Sequence, residues 1–513
     1  MRISTGQIYR SALGAVLEQQ LQLQRTQQQI STGKRISSPA DDPAGAANLV
    51  GLKESMQVTR QYQENISAAR TQLQQEEATL GSVRLVLDRV RELALGAANA
   101  ALSESDRRAV AVEMAQRISD LEGLANAISP TGEYLFAGYQ GLTRPFAVGP
   151  GGTTAYYGDE GQRFVQIGAN RLVAVNDPGA GLFMDIARGN GRFAALAGPD
   201  NAGSGVIDPG SVTGGYNGGA YRIGFPVTTT AGPSLAFNDA GANDDPLYTL
   251  TINGTPVYQV AASGAPVATL EDLATEINLH AGVTGVRAVV DAGELMLMAD
   301  DPAVGDIEVT ETLGAVSDGA ADTVTGYFGS ALTGDEPSAS IVYPAGAADR
   351  YLVEDALGVP VASGVFADGE QIAFAGVQTR ITGEPRHGDV FHIEPAGRQN
   401  VFATIGDFIG VLESGASGAT LGNAVNAFLT GIDQAMEKVS MARAGVGGRL
   451  NALDTQEQVN EDTLLRLDTA RSGLEDLDYA SAISDFSRQM MALQAAYSSF
   501  SQIQGLSLFN YLR

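Results

Sequence analysis

Residues 44–99 read AGAANLVGLKESMQVTRQYQENISAARTQLQQEEATLGSVRLVLDRVRELALGAAN. No proline interrupts them, and Leu52, Thr59, Ile66, Leu73, Leu80, Leu87 and Ala94 fall seven apart, with Val83, Val90 and Ala97 as a second series three residues ahead. Side chains seven apart return to one face of an α-helix after two turns. The stretch therefore predicts a long helix whose apolar stripe winds against other helices. At about 1.5 Å per residue it would run roughly 84 Å. A third helix is expected after it, opened by Ser103 and Asp106 at capping-box spacing and carrying Val110, Met114, Ile118, Leu121, Ala125 and Ile128 inside.

The other end of the chain repeats the theme. Val425, Ile432, Val439, Val446 and Leu453 are spaced by seven, with Leu421, Phe428, Ala435 and Ala442 as a second seam. Near the C-terminus Phe486, Met490, Leu493, Tyr497 and Phe500 alternate by four and three, and near the N-terminus Leu13 flanks Val16, Leu23 and Ile30. Neither end holds enough apolar surface to offset its own chain entropy. The expected fold is α plus β and multidomain: the two ends pair into a long α-helical coiled-coil core, and a mainly β outer region is inserted between them. The expected divisions are a terminal helical polymerisation domain (1–40 with 475–513), a helical rod domain (41–140 with 400–474), a β-rich outer domain (141–246 with 300–399) and a small insertion (247–299). Subunit packing is assigned to Leu13, Val16, Leu23, Ile30, Phe486, Met490, Leu493, Tyr497 and Phe500. The rod core is assigned to Leu52, Ile66, Leu73, Leu80, Leu87, Val425, Ile432, Val439, Val446 and Leu453. The two extreme ends are expected to be mobile in a lone copy and to order as copies stack.

The insertion shows the clearest local pattern. Tyr248, Leu250 and Ile252 alternate up to Asn253-Gly254, a hairpin turn, and Val257 to Val260 return. Thr269 then caps a short helix bearing Leu270, Leu273 and Ile277, and Val286–Val290 and Leu295–Met298 flank Asp291-Ala292-Gly293, giving a ββαββ unit. Segments 163–175, 371–381 and 389–394 are further strand candidates, whereas 199–220 and 313–340 read as loops.

Chemistry is sparse. Of the three histidines, His280 closes the short helix, and His387 and His392 lie near Glu384, Asp389 and Glu394. Strand alternation sends the neighbours of His392 to opposite faces, so a structural or solvent-exposed role is expected rather than a metal site. No HExxH, GxSxG or P-loop occurs. The glycines 445, 447 and 448 sit inside the heptad stripe and read as a close helix approach or a local bend. The 239–245 cluster lacks the glycine and terminal glutamate of a calcium loop. Asn65-Ile66-Ser67 and Asn253-Gly254-Thr255 match the glycosylation sequon by chance. No enzyme, cofactor or metal is expected.

Composition agrees with an exposed structural role. The formal charge is 32 − 59 = −27, with roughly −20 of it in residues 150–400. Such a surface repels nucleic acid and anionic lipid, so neither is an expected partner. Cysteine and tryptophan are absent, and lysine occurs only at 34, 53 and 438. MRISTGQIYR lacks an apolar stretch behind its basic residues, which excludes a cleavable secretory signal, and no run of residues is long and apolar enough to span a membrane.

Certain segments carry a family resemblance. STGKRISSPADDPAGAANLV (31–50), LDRVRELAL (87–95) and SGLEDLDYASAISDF (472–486) resemble the terminal motifs of the flagellin family. Within it, MRIST, TGEYLFAGYQGLTRPF (131–146), GDVFHIEPAGRQNVFATIGDFIGVLE (388–413) and GLSLFNYLR (505–513) resemble the hook-associated junction branch more than filament flagellins, and 247–299 is similar to the flagellin hook IN motif. The resemblance implies an extracellular axial component of the bacterial flagellum joining hook to filament. It would be exported through the flagellar type III system, with copies of itself in a ring, a neighbouring hook-associated junction protein, flagellin and an export chaperone as partners. A filament flagellin is the alternative reading, and a secreted ligand-binding protein or adhesin the next.

Overall fold

The computed structural model describes residues 5–149, 153–238, 245–299, 301–314, 323–333 and 337–505. Its helices are α1 (Thr5–Thr32), α2 (Pro43–Ala97), α3 (Glu104–Ala125), α4 (Leu270–Leu279), α5 (Ala281–Thr284), α6 (Val401–Glu413), α7 (Gly418–Glu475) and α8 (Tyr479–Gly505). Long helices at both ends thus bracket a region of short strands, as the periodicities require. The chain forms two compact units, one of Met1–Gln74, Arg163–Val175 and Val446–Arg513, the other of Gln75–Gln162 and Asn176–Gly445.

Local chemistry explains where the first unit's helices begin. Asp41 accepts from the backbone N–H of Ser37 and Ser38 at 3.1 and 2.8 Å and from the Ser37 hydroxyl, and these bonds hold its carboxyl below the ordinary range. Asp42 then caps α2 by accepting from Gly45 N–H at 2.9 Å, with Pro43 at the first helical position. A Cβ on Gly45 would lie 2.4 Å from the Asp42 carboxylate and 2.7 Å from Ile36, so the cap needs glycine there. Met56, Ile66, Ala69, Leu73, Val446 and Leu453 are buried in this unit. The hairpin Phe164–Gly168/Arg171–Ala174 is held by side-chain amides: Asn65 donates to Gln166 O at 2.7 Å and Asn460 to Ile167 O at 3.0 Å.

In the second unit, the later part of α2 faces the earlier part of α7, with Leu80, Val83, Leu87, Val90, Val425, Ile432 and Val439 buried. Their ion pairs run in opposite numerical directions, Glu77 to Arg443 at 2.6 Å and Arg91 to Asp433 at 2.8 Å, so the helices are antiparallel. α3 has the expected capping box between Ser103 and Asp106 and packs on α6. Its buried side is Arg107, Ala111, Met114, Leu121 and Ala125, whereas Ile128, expected inside, is exposed beyond the helix end. Phe136, Phe146, Phe183 and Phe402 form an aromatic cluster with centroids 5.3–5.9 Å apart, tying segment 131–146 to α6.

A five-stranded antiparallel sheet follows, in the order Pro360–Val365, Arg350–Asp355, Tyr221–Gly224, Val390–Pro395, Phe193–Ala197. The segment 247–299 folds as two hairpins and a capped helix, with Asn253 and Ala292 at positive φ in their turns and Thr269 accepting from Asp272 N–H. Its hairpins join different sheets. The first extends through Ile307–Leu313 to Ser338–Tyr343, and the second takes Val227–Thr228 as its neighbour. Arg287 of the second hairpin clamps Glu354 of the five-stranded sheet through two bonds of 2.6 and 2.8 Å, and Arg222 adds a third at 3.2 Å.

The two expected loops contain strands. Val206–Ile207 and Ser211–Val212 pair with Val377–Thr382, and Thr323–Thr325 pairs with Ala331–Thr333. Two or three residues are too few to show alternation, and distant partners complete them. The glycines 445, 447 and 448 sit within a continuous α7, and nothing lies within 4 Å of a Cβ placed on Gly447 or Gly448, so close helix approach does not explain those two. Of the 239–245 cluster, only Asp245 lies among the described residues, where it accepts from Ser263 N–H at 2.6 Å.

Candidate functional site

α1 ends at Thr32 because Gly33 turns the chain at φ +69, donating back to Gln29 O at 2.9 Å. A Cβ at Gly33 would meet the Tyr479 hydroxyl at 2.9 Å, so this close approach also favours glycine. The next residues knot the two chain ends together. Arg35 N–H donates to Glu475 O at 2.7 Å and Leu477 N–H to Gly33 O at 3.0 Å, and Asp478 caps α8 through Ala480 N–H. Lys34 and Lys53 both donate to Glu475 Oε1, at 2.7 and 3.0 Å. Two of the chain's three lysines therefore converge on one buried carboxylate.

The Lys34 hydrogen bond, opposed by burial and reinforced by Lys53, holds the Glu475 carboxyl below the ordinary carboxylate range. A depressed folded pKa contributes stability that is complete above the ordinary carboxylate range and lost as pH falls through the folded value. Both lysines are half exposed, so solvent screens the gain. Hydrogen exchange should report the consequence. Amides of α1 and α8 are expected to exchange faster as pH drops through the acidic range, after correction for intrinsic rates. Glu475→Gln should be faster at neutral pH and lack that acid-dependent step; an unchanged step would refute the clamp.

Beyond the knot, α1 and α8 lie side by side. Thr26 Oγ1 donates to Gln489 Oε1 at 2.9 Å and Gln20 Nε2 to the Tyr497 hydroxyl at 2.5 Å. Of the expected packing residues, Val16 is buried, and Leu23, Ile30, Phe486, Leu493 and Phe500 are half-buried. Leu13, Met490 and Tyr497 are exposed within this single chain. Four apolar side chains absent from the sequence-based set join them: Leu17 (51% exposed), Leu21 (58%), Ile483 (53%) and Met491 (63%). Leu13, Leu17 and Leu21 are spaced by four, a signal the seven-residue series passed over. The pair thus turns one stripe inward and leaves a second apolar stripe open to further helices.

The expected rod-core positions fall in both units. Leu52 is half-buried, and Ile66, Leu73, Leu80, Leu87, Val425, Ile432, Val439, Val446 and Leu453 are buried. A charged seam beside them was not anticipated. Arg70, Glu77, Arg84 and Arg91, again seven apart, meet Asp454 and Glu457, Arg443, Ser440 and Asp433. The heptad period was present in the charges as well as in the apolar residues.

The histidines take structural places. His280 forms the C-cap of α4, His387 Nδ1 lies 3.4 Å from Phe225 O, and burial followed by the Arg222 guanidinium pushes the His392 pKa down. Among the described residues no three His, Asp or Glu side chains group to hold a metal ion, and no helix is long and apolar enough to cross a membrane.

The bacterial flagellin N-terminal helical region matches residues 3–141, the bacterial flagellin C-terminal helical region residues 429–512, and the flagellin hook IN motif residues 249–301. The chain belongs to the flagellin family. Among family members, the flagellar hook-associated protein 3 of Salmonella typhimurium is 31% identical over 186 residues, 36% of this chain and 58% of that protein. The chain thus spans about three-fifths of that relative's length. A flagellin of Salmonella typhimurium is 25% identical over 523 residues, 96% of this chain and 93% of that protein. The crystal structure of the flagellar junction protein FlgL from Legionella pneumophila shares the fold, with a TM-score of 0.54 and 23% identity over 83% of this chain and 99% of that one. The paired α1 and α8 lie within the segments matched by the flagellin N- and C-terminal regions.

Proposed function

We propose that this flagellin-family chain is an axial structural component of the bacterial flagellum, joining hook to filament through its stacked terminal helices. The observation that carries the reading is the match to hook-associated protein 3, higher in identity than the match to flagellin. The two segments that resemble the junction branch, 131–146 and 388–413, also meet in one aromatic cluster through Phe136, Phe146 and Phe402. In this reading the open apolar stripe of α1 and α8 packs on sister copies, on the neighbouring hook-associated protein below and on flagellin above. The protein lies outside the cell, reaches its place unfolded through the flagellar type III exporter, and is accompanied until then by a chaperone covering its C-terminal helix. Its mechanism is helix packing between subunits, and no reaction is assigned to it.

A filament flagellin is the second reading, favoured by the flagellin match along nearly the whole chain. Deleting the gene distinguishes them. The junction reading expects cells that keep hooks, lose filaments and release flagellin into the medium, with immunogold on wild-type flagella confined to one narrow band at the proximal filament end. Label along the whole filament would establish the alternative instead.

A further inference from the structure

Cysteine is absent, so the thioethers of methionine are the only sulfur in the chain that an oxidant can meet. Nine of the ten methionines lie among the described residues. Met56, Met114, Met296 and Met298 are buried, and Met184 and Met436 are half-buried. Three are exposed: Met441 on α7, at 53%, and the neighbours Met490 (53%) and Met491 (63%) on α8. Two of the three exposed thioethers therefore adjoin, on a helix whose described side chains bury only Ala482.

Their direction on α8 follows from its contact with α1. Gln489 faces α1, where its Oε1 accepts from Thr26 Oγ1 at 2.9 Å. At about 100° per residue, Met490 stands on the flank of that contact and Met491 about 200° round, away from α1. Met490 falls in line with Ile483 and Tyr497, seven residues to either side and exposed as well. The pair thus belongs to the open apolar stripe. A thioether suits such a surface, because its unbranched side chain adapts to neighbours of unlike shape. It is also an apolar group that a mild oxidant turns polar.

We propose that Met490 and Met491 form an oxidation site that governs docking of the terminal helices. As thioethers they pack on neighbouring copies, and as sulfoxides they do not. The oxidant is a peroxide, hydrogen peroxide being the simplest. The sulfur lone pair attacks one peroxide oxygen, the S–O bond forms as the O–O bond breaks, and sulfur gives up two electrons. The departing hydroxide takes up a proton and leaves as water. Each sulfoxide oxygen then needs a hydrogen-bond donor that an apolar contact lacks, which disfavours docking roughly tenfold or more per residue. Docking in turn buries the two sulfurs, so the lone chain is sensitive and the assembled chain resistant. This control rests on the proposed assembly through the open stripe and adds its regulation.

Peptide mass spectrometry of sulfoxide at each methionine tests both halves. Under dilute hydrogen peroxide, Met490 and Met491 are expected to oxidise readily in the purified full chain and roughly tenfold more slowly, or less, in isolated flagella. Equal rates would mean that the stripe is not an assembly surface, and the proposal falls with it. Partly oxidised chain is then offered to cells lacking its gene. Chains taken into flagella should carry about tenfold less sulfoxide at 490 and 491 than those left in the medium. Protection in flagella without this exclusion overturns the oxidation control alone. Met490→Leu with Met491→Leu should assemble equally well before and after peroxide, whereas Met441→Leu should stay as sensitive as wild type. The reverse pattern places the effect at Met441 and refutes the site. Immunogold on the same flagella is read separately. A narrow proximal band with sulfoxide tolerated sinks the control and leaves the junction reading standing, whereas exclusion with label along the filament does the reverse.

Discussion

Glu311→Ala is expected to destabilise the β region by about 3 kcal/mol, the largest effect of a single substitution predicted for this chain. Glu311 is fully buried in the Ile307–Leu313 strand, yet its carboxylate is well occupied. Tyr248 OH donates to it at 2.5 Å, Phe328 N–H at 3.1 Å and Ser330 N–H at 3.3 Å. Alanine removes the acceptor and leaves three donors facing an apolar core, each costing roughly 1–3 kcal/mol. Relief of the buried charge offsets part of this. Glu311→Gln should cost less, about 1–2 kcal/mol, because it keeps the volume and one acceptor oxygen. Urea unfolding resolved by hydrogen exchange over residues 247–313 would measure both, and an alanine variant as stable as wild type would contradict the assignment. Alkali probes the same cluster from the other side. Burial, then Glu311, pushes the Tyr248 hydroxyl far above its ordinary value of 10.0. The unfolded tyrosine loses its proton first, so stability falls as pH rises through the ordinary phenol range.

The contrast between Glu311 and Leu80 shows which parts of this fold were readable beforehand. Leu80 and its companions seven apart announce helices because every position in a repeat reports the same face, and the long α2 and α7 follow. The hairpin at Asn253-Gly254 was readable because that turn demands positive φ at both positions, which the structure has, at 48° and 76°. Glu311 gave no such signal. It shares the inward register of Ile307, Val309 and Leu313, but the groups that satisfy its carboxylate, Tyr248 and the 328–330 backbone, are distant in sequence and left no local mark. The same holds for Glu354, whose arginine partners are 67 and 132 residues away, and for Glu475, clamped by Lys34 and Lys53 from the far end of the chain. Strand pairing was hidden for a like reason: the pattern in 247–299 marks both hairpins but says nothing of the separate sheets they join. At the terminal helices the seven-residue series located the helices and some of their packing positions. The open stripe of Leu17, Leu21, Ile483 and Met491 lies off that series, because these side chains face away from the stripe that α1 and α8 turn toward each other.

Limited proteolysis should find the two chain ends first. Across the described side chains of α1 only Val16 and Thr26 are buried, and in α8 only Ala482. By contrast Ile66, Leu73, Leu80 and Leu87 of α2 are all buried. A helix pair with so few buried groups has little to set against the entropy of ordering, so its local unfolding free energy lies near the bottom of the range. Trypsin acting on the lone chain is therefore expected to cut at Arg10, Arg25 and Arg488, all exposed, well before Arg84 or Arg91. Packing Leu13, Leu17, Leu21, Ile483, Met490 and Met491 against sister copies would bury them and protect the same bonds, by roughly tenfold or more in rate for each 1.4 kcal/mol gained. The Glu475 clamp sets where fraying stops, since it holds the start of α2 and the end of α7 together while the helices beyond it open. Cleavage that stops near residues 34 and 475 in the lone chain, and vanishes in isolated flagella, is the expected pattern. Equal cutting rates in the two states would mean that the open stripe is not an assembly surface.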